Sequence, residues 1–144
     1  MNKKSQNKII LGIDPGYARA GWSVLKKQGQ KLELIEYGCL QTSKKMEHAQ
    51  RLKTLHYELT RIIKQHRPHI MAIEDLFFFK NLKTAIKVAE ARGVLLMTGI
   101  ENGLEIDEHT PLQIKQALTG YGRADKNQIQ QMVKMILKLK EIPK

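Results

Sequence analysis

A single cysteine, Cys39, in 144 residues rules out an internal disulfide, and with it the stapled scaffolds of small secreted proteins. The expected compartment is therefore the cytoplasm. The same scarcity, with five histidines (His48, His56, His66, His69 and His109) at no recognisable ligand spacing, gives a zinc site no support. No apolar run approaches the ~20 residues that a membrane-spanning helix needs. The polar start, Met-Asn-Lys-Lys-Ser-Gln-Asn-Lys, leads straight into the first strand-like segment, so no signal peptide is expected. Acids are also scarce: 14 Asp and Glu stand against 25 Lys and Arg, a net charge of +11. So large an excess on so short a chain favours a polyanionic partner such as nucleic acid. It is uneven as well, because Lys115, Arg123, Lys126, Lys134, Lys138, Lys140 and Lys144 outnumber Asp125 and Glu141 near the C-terminus. With 42% hydrophobic residues, the chain is long enough to bury one core, and residues 1–144 are expected to form one domain.

Among the few acids, Asp14 stands out. It ends the run Ile9-Ile10-Leu11-Gly12-Ile13, and Pro15-Gly16 follows it, so a strand expected to be buried on both faces delivers a carboxylate where it leaves the sheet. Gly21 to Leu25 is expected to form a second strand, Lys26 to Gln30 a polar hairpin, and the alternation from Lys31 to Gln41 a third strand in a meander. Leu52, Leu55, Leu59, Ile62 and Ile63 recur at helical spacing between about Met46 and His66, and Pro68 follows the end of that helix. His69 to Glu74 reads as a short buried strand, Asp75 to Asn81 as a loop, and Leu82 onward toward Ile100 as a second helix. Glu105 to His109 suits a short strand and Pro111 to Leu118 a short helix. Asp125 with Gln128 three residues on caps a last helix, whose buried stripe is expected to be Ile129, Met132, Val133 and Ile136 while Lys134 and Lys138 face solvent.

This order pairs two of the acids. The third strand of a meander runs parallel to the first, and a helical crossover then delivers a fourth strand parallel to both. If the fourth lies beside the first, Asp14 and Glu74 end neighbouring strands about 4.8 Å apart. Alternation puts Glu74 on the face of Ala72 and Ile70 and turns Asp75 away. Two close carboxylates repel unless a cation or a proton separates them, and hard oxygen ligands select magnesium or manganese. The chemistry expected is metal-assisted reaction at a phosphate. A site with two ions needs further acids, and none presents itself: Asp107 and Glu108 fall on an expected edge strand, Asp125 on a cap and Glu141 near the chain end.

Gly12-Ile13-Asp14-Pro15-Gly16 with Gly21, Ala72-Ile73-Glu74 with Phe77 and Lys80-Asn81, Ala89-Glu90-Ala91-Arg92-Gly93-Val94, and Gly120-Tyr-Gly-Arg-Ala-Asp-Lys126 into Gln128 stand in an order and spacing that resemble the RuvC family of crossover junction endodeoxyribonucleases. The resemblance spans nearly the whole chain. It implies an α/β, ribonuclease H-like fold, a mixed five-stranded sheet with flanking helices. It also implies a homodimer that resolves four-way Holliday junctions in recombination and repair by paired, magnesium-dependent nicks (manganese substituting, two ions per complete site), working with a branch-migration motor of RuvA and RuvB. By position, Asp14 and Glu74 are implied to be metal ligands and catalytic groups. Phe77 is implied to meet bases at the crossover, and Lys80, Lys115, Arg123 and Lys126 to meet DNA. The family pattern has a further C-terminal helix with two acidic ligands, which this sequence lacks, so junction binding with impaired cleavage is the expectation for the 144 residues.

Two other readings remain open at this level. One is a junction-binding protein without catalysis, suggested by the incomplete set of acids. The other is an actin-like ATPase or sugar kinase, whose first phosphate loop is also a strand, a Gly-x-Asp-x-Gly turn and a strand; that class needs a second domain and a later glycine-rich loop.

Overall fold

β1 (Lys8–Asp14) is the axis of a five-stranded sheet of order β3-β2-β1-β4-β5. The structure, a computed structural model, describes residues 7–76 and 81–142. β2 (Arg19–Gln28) pairs antiparallel with β1, and β3 (Lys31–Gln41) antiparallel with β2, so the first three strands form the expected meander. β2 is longer at both ends than Gly21 to Leu25. Its pairing runs on from Arg19↔Gln41 to Gln28↔Lys31, with a register shift between Val24 and Leu25, so cross-strand pairing extends through the polar residues of the hairpin arms. The chain reverses at Gly29, whose φ of 58° suits a residue without a side chain.

α1 (His48–His66) carries the chain across to β4 (Ile70–Glu74), which lies beside β1 and parallel to it. α1 ends on Arg67 in a left-handed conformation, one residue before Pro68. α2 (Leu82–Glu101), capped by the Asn81 side chain, returns the chain to the edge strand β5 (Glu105–His109), parallel to β4. α3 (Pro111–Thr119) and α4 (Lys126–Ile136) both open with complete capping boxes, Thr110 with Gln113 and Asp125 with Gln128.

One face of the sheet packs on α1 and α2. Leu11, Ile13, Ala20, Val24, Leu40, Met71 and Ile73 project from the strands to meet Leu55, Leu59, Ile62, Ile63, Ala91 and Leu95 of the two helices in one core cluster. Thr98 is buried there because its hydroxyl meets both the Val94 carbonyl at 2.7 Å and His56 Nδ1 at 2.8 Å.

The opposite face is less covered than a strand buried on both sides would require. Ile10 and Gly12 of β1 are only half-buried, because α3 and α4 stand off the sheet across a groove of about 630 Å³. Gly12, Ser23, Leu25, Leu34, Tyr37 and Ala72 line its sheet side, and Ile114, Leu118, Val133 and Ile136 its helix side. The α4 stripe therefore differs from the sequence expectation. Only Val133 and Ile136 of it line the groove, no residue of α4 is fully buried, and Ile136 is 39% exposed. Among the described residues no helix is long and apolar enough to cross a membrane.

Candidate active site

The register of β1 against β4 runs Ile10↔Ile70, Leu11↔Met71, Gly12↔Ala72, Ile13↔Ile73. One step further, Asp14 and Glu74 end the two strands side by side, on the groove face with Gly12 and Ala72. Gly21, the cross-strand partner of Asp14, leaves room beside it: a β-carbon at Gly21 would lie 3.6 Å from the Asp14 β-carbon. Asp14 is exposed and Glu74 half-buried.

The carboxyls are in contact. Burial, a hydrogen bond with Asp14 and the Asp14 charge together raise Glu74 from an ordinary 4.5 to about 7, while the Lys115 ammonium pulls the other way. Two carboxyls in contact, the charge of one disfavouring ionisation of the other, fit a hard divalent cation, which would offset that repulsion. Among the described residues no third His, Cys, Asp or Glu joins them in a ligand cluster. Lys115, on α3, is half-buried and close enough to be felt by Glu74.

The remaining sequence-predicted residues are spread more widely. Lys126 is the first residue of α4, and Arg123 precedes it in the α3–α4 turn; both are exposed. Phe77 and Lys80 lie outside the described residues. Asp75 turns away as strand alternation requires: its Oδ1 accepts from the Leu76 amide at 2.9 Å and lies 3.5 Å from an Arg92 nitrogen.

Two sets of neighbours were not legible as functional. The turn after Asp14 is held by Tyr17, whose hydroxyl meets His48 Nδ1 at 2.8 Å and whose ring lies 3.8 Å beneath the buried Arg51 guanidinium. His48 Nε2 in turn meets Glu90 of α2 at 3.1 Å. At the other edge, His109 pairs with Glu74 in register and lines the groove, its imidazole 3.2 Å from Asp107. His66 and His69 are engaged structurally: His66 meets Glu36 at 2.6 Å, and His69 Nδ1 accepts from the Ile9 amide at 3.0 Å.

A mixed sheet of this order, with two acids at the ends of its paired first and fourth strands, is the ribonuclease H-like arrangement. The likeness to solved structures has the same content. The chain superposes on Thermus thermophilus RuvC with a TM-score of 0.86 at 33% identity, covering 94% of this chain and 84% of that one. On T. thermophilus RuvC in complex with Holliday junction substrate the score is 0.89 at 33% identity, over 95% and 84%. In sequence, residues 10–144 match the family model described as crossover junction endodeoxyribonuclease RuvC. The crossover junction endodeoxyribonuclease RuvC of Halothermothrix orenii is 52% identical over 136 residues, 94% of this chain and 82% of that protein. That of Caldicellulosiruptor saccharolyticus is 53% identical over the same shares. The chain belongs to the RuvC family of crossover junction endodeoxyribonucleases, metal-dependent nucleases.

Proposed function

We propose that this chain recognises four-way junction DNA and that Asp14 and Glu74 hold the divalent metal ion, Mg2+ or Mn2+ in its place, with which the strands at the crossover are nicked. The contact between these two carboxyls at adjoining strand ends, with Lys115 beside them, is the observation that carries the reading. When bound, the ion supplies Lewis acidity at the scissile phosphate and an activated water. Lys115 has two tasks: its charge favours the ionised form of Glu74 that binds metal, and its ammonium reaches a phosphate oxygen entering the site. Arg123 and Lys126 neutralise backbone phosphates at the start of α4, where the helix dipole adds to their charge. Phe77 stacks on bases near the crossover, and Lys80 contacts the strand beside it.

Paired nicks need two sites related by a twofold axis, and α2 is the proposed dimer helix. Leu82, Ile86, Met97 and Ile100 are all exposed at 52–75%. At 100° per residue they fall on one stripe with exposed Ala89 and Gly93. An isologous contact along that stripe would bury it. Docking to a RuvA and RuvB branch-migration motor in the cytoplasm, and a second ion in a fuller ligand set, belong to the same reading. Among the described residues two carboxylates meet at the site, enough for one ion, and a site with only these two acids is expected to support junction binding better than nicking.

The test is binding and nicking of a synthetic four-way junction in magnesium, with linear duplex as competitor. Selective binding with weak nicking that Asp14→Asn abolishes is expected. No preference for the junction in a folded sample would overturn the substrate assignment, and nicking that survives Asp14→Asn would overturn the site.

A further inference from the structure

Arg92 lies on α2, in the Ala89–Val94 motif to which no task has yet been assigned. Its side chain is 11% exposed. Its Nε donates to the Glu74 carbonyl oxygen at 3.1 Å, and one of its terminal nitrogens donates to Glu108 Oε1 at 2.7 Å and stands 3.5 Å from Asp75 Oδ1. Glu74 is the last residue of β4, and Glu108 and His109 end β5 beside it. The Asp75 amide continues the ladder by donating to the His109 carbonyl at 2.7 Å. One guanidinium thus grips the ends of both strands from the helix side, opposite the face on which Asp14 and Glu74 meet.

We infer that Arg92 is a positioning residue of the metal site: it fixes the backbone of Glu74, and so the direction of its carboxylate, and it keeps Asp75 on the helix side of the sheet. This rests on the reading of Asp14 and Glu74 as metal ligands. Three features of the geometry support it. A carbonyl that ends a strand has lost the ladder partner that would orient it, and Arg92 replaces that partner. Asp75 follows Glu74 directly, so without a cation to hold it, its carboxylate is free to rotate toward the ion as an ill-placed competitor. Only a planar fork serves a carbonyl and two carboxylates together; an ammonium at the end of a lysine stem cannot reach all three in those directions.

The experiment is Mn2+ binding to the full chain without DNA, read from the electron paramagnetic resonance signal of free Mn2+. Circular dichroism and junction binding in chelator report on the fold in parallel. Groups that orient metal ligands typically contribute 10–100-fold in affinity, so Arg92→Gln is expected to weaken Mn2+ binding about tenfold with junction binding in chelator unchanged. Arg92→Lys should recover little of that loss, whereas adding Asp75→Asn to Arg92→Gln should recover part of it. Unchanged Mn2+ affinity in folded Arg92→Gln would overturn the inference. If Arg92→Gln does not fold, Glu108→Ala takes its place, since it removes the acceptor that holds the terminal nitrogen of Arg92 while leaving the guanidinium charge; weakened Mn2+ binding then supports the inference and unchanged binding overturns it. Asp14→Asn separates the two levels. If it abolishes Mn2+ binding while Arg92→Gln does not weaken it, only the role of Arg92 fails. If Asp14→Asn leaves Mn2+ binding intact, the ligand assignment fails and takes the inference with it.

Discussion

Replacing Glu74 with glutamine is expected to stabilise the metal-free protein at alkaline pH while removing its metal site. Glu74 is held as an acid to about pH 7, against an ordinary 4.5, first by burial and then by the hydrogen bond and charge of Asp14. Between those values the unfolded chain has already released a proton that the folded chain keeps. Stability therefore falls as pH rises from about 4.5 to about 7 and levels off above it. A shift of that size corresponds to about 3 kcal/mol at full strength. Glu74 is only half-buried and Asp14 is exposed, so solvent screening reduces the effect to about 1–2 kcal/mol. Glutamine has nearly the same shape and no proton to lose. Urea denaturation in chelator from pH 4 to 8.5 should give curves for wild type and Glu74→Gln that coincide at the acid end and diverge by about 1–2 kcal/mol by pH 8, with the variant the more stable. Adding Mn2+ should raise the wild type as RT ln(1 + c/Kd), with c the free Mn2+ concentration, and leave the variant unmoved. Parallel curves across the range would refute the raised pKa of Glu74, and with it the electrostatic case for a cation between the two acids.

Three further outcomes are expected. Lys115→Ala removes the charge that lowers the Glu74 pKa, so the pH at which Mn2+ binding reaches half its plateau should move upward, as read by titrations at a series of pH values. Gly16→Ala should destabilise by roughly 1–3 kcal/mol and weaken Mn2+ binding, because its β-carbon would lie 2.0 Å from the Arg19 carbonyl oxygen in the turn that follows Asp14; urea melts and the Mn2+ titration check it. Ile86→Lys with Met97→Lys puts charge on the exposed stripe of α2, and sedimentation should show a shift from dimer to monomer with unchanged circular dichroism.

The local elements were legible because each rests on a short-range rule. Asp125 with Gln128 specified a cap and Pro68 the region of a helix end. The pairing of Asp14 with Glu74 was also within reach, although sixty residues separate them, because a meander followed by a helical crossover leaves few topologies. Strand alternation then selected Glu74 over Asp75. What periodicity could not supply was how far apart two layers stand. The stripe of Ile129, Met132, Val133 and Ile136 has the pattern of a buried face, but burial depends on how closely the facing layer approaches, and only Val133 and Ile136 line a groove that stays open between α4 and the sheet.

The amino-acid sequence by itself determined the order of the elements, the two acids at the strand ends, the basic surface and the family, since each follows from neighbours in the chain or from motifs kept in order. Only the tertiary structure decided the ionisation of Glu74, the nearness of Lys115 to it, and the grip of Arg92 on the ends of β4 and β5. Those depend on distances of a few ångströms between residues far apart in the chain. Burial and Coulomb interactions change steeply over such distances, and no local pattern of residues encodes them.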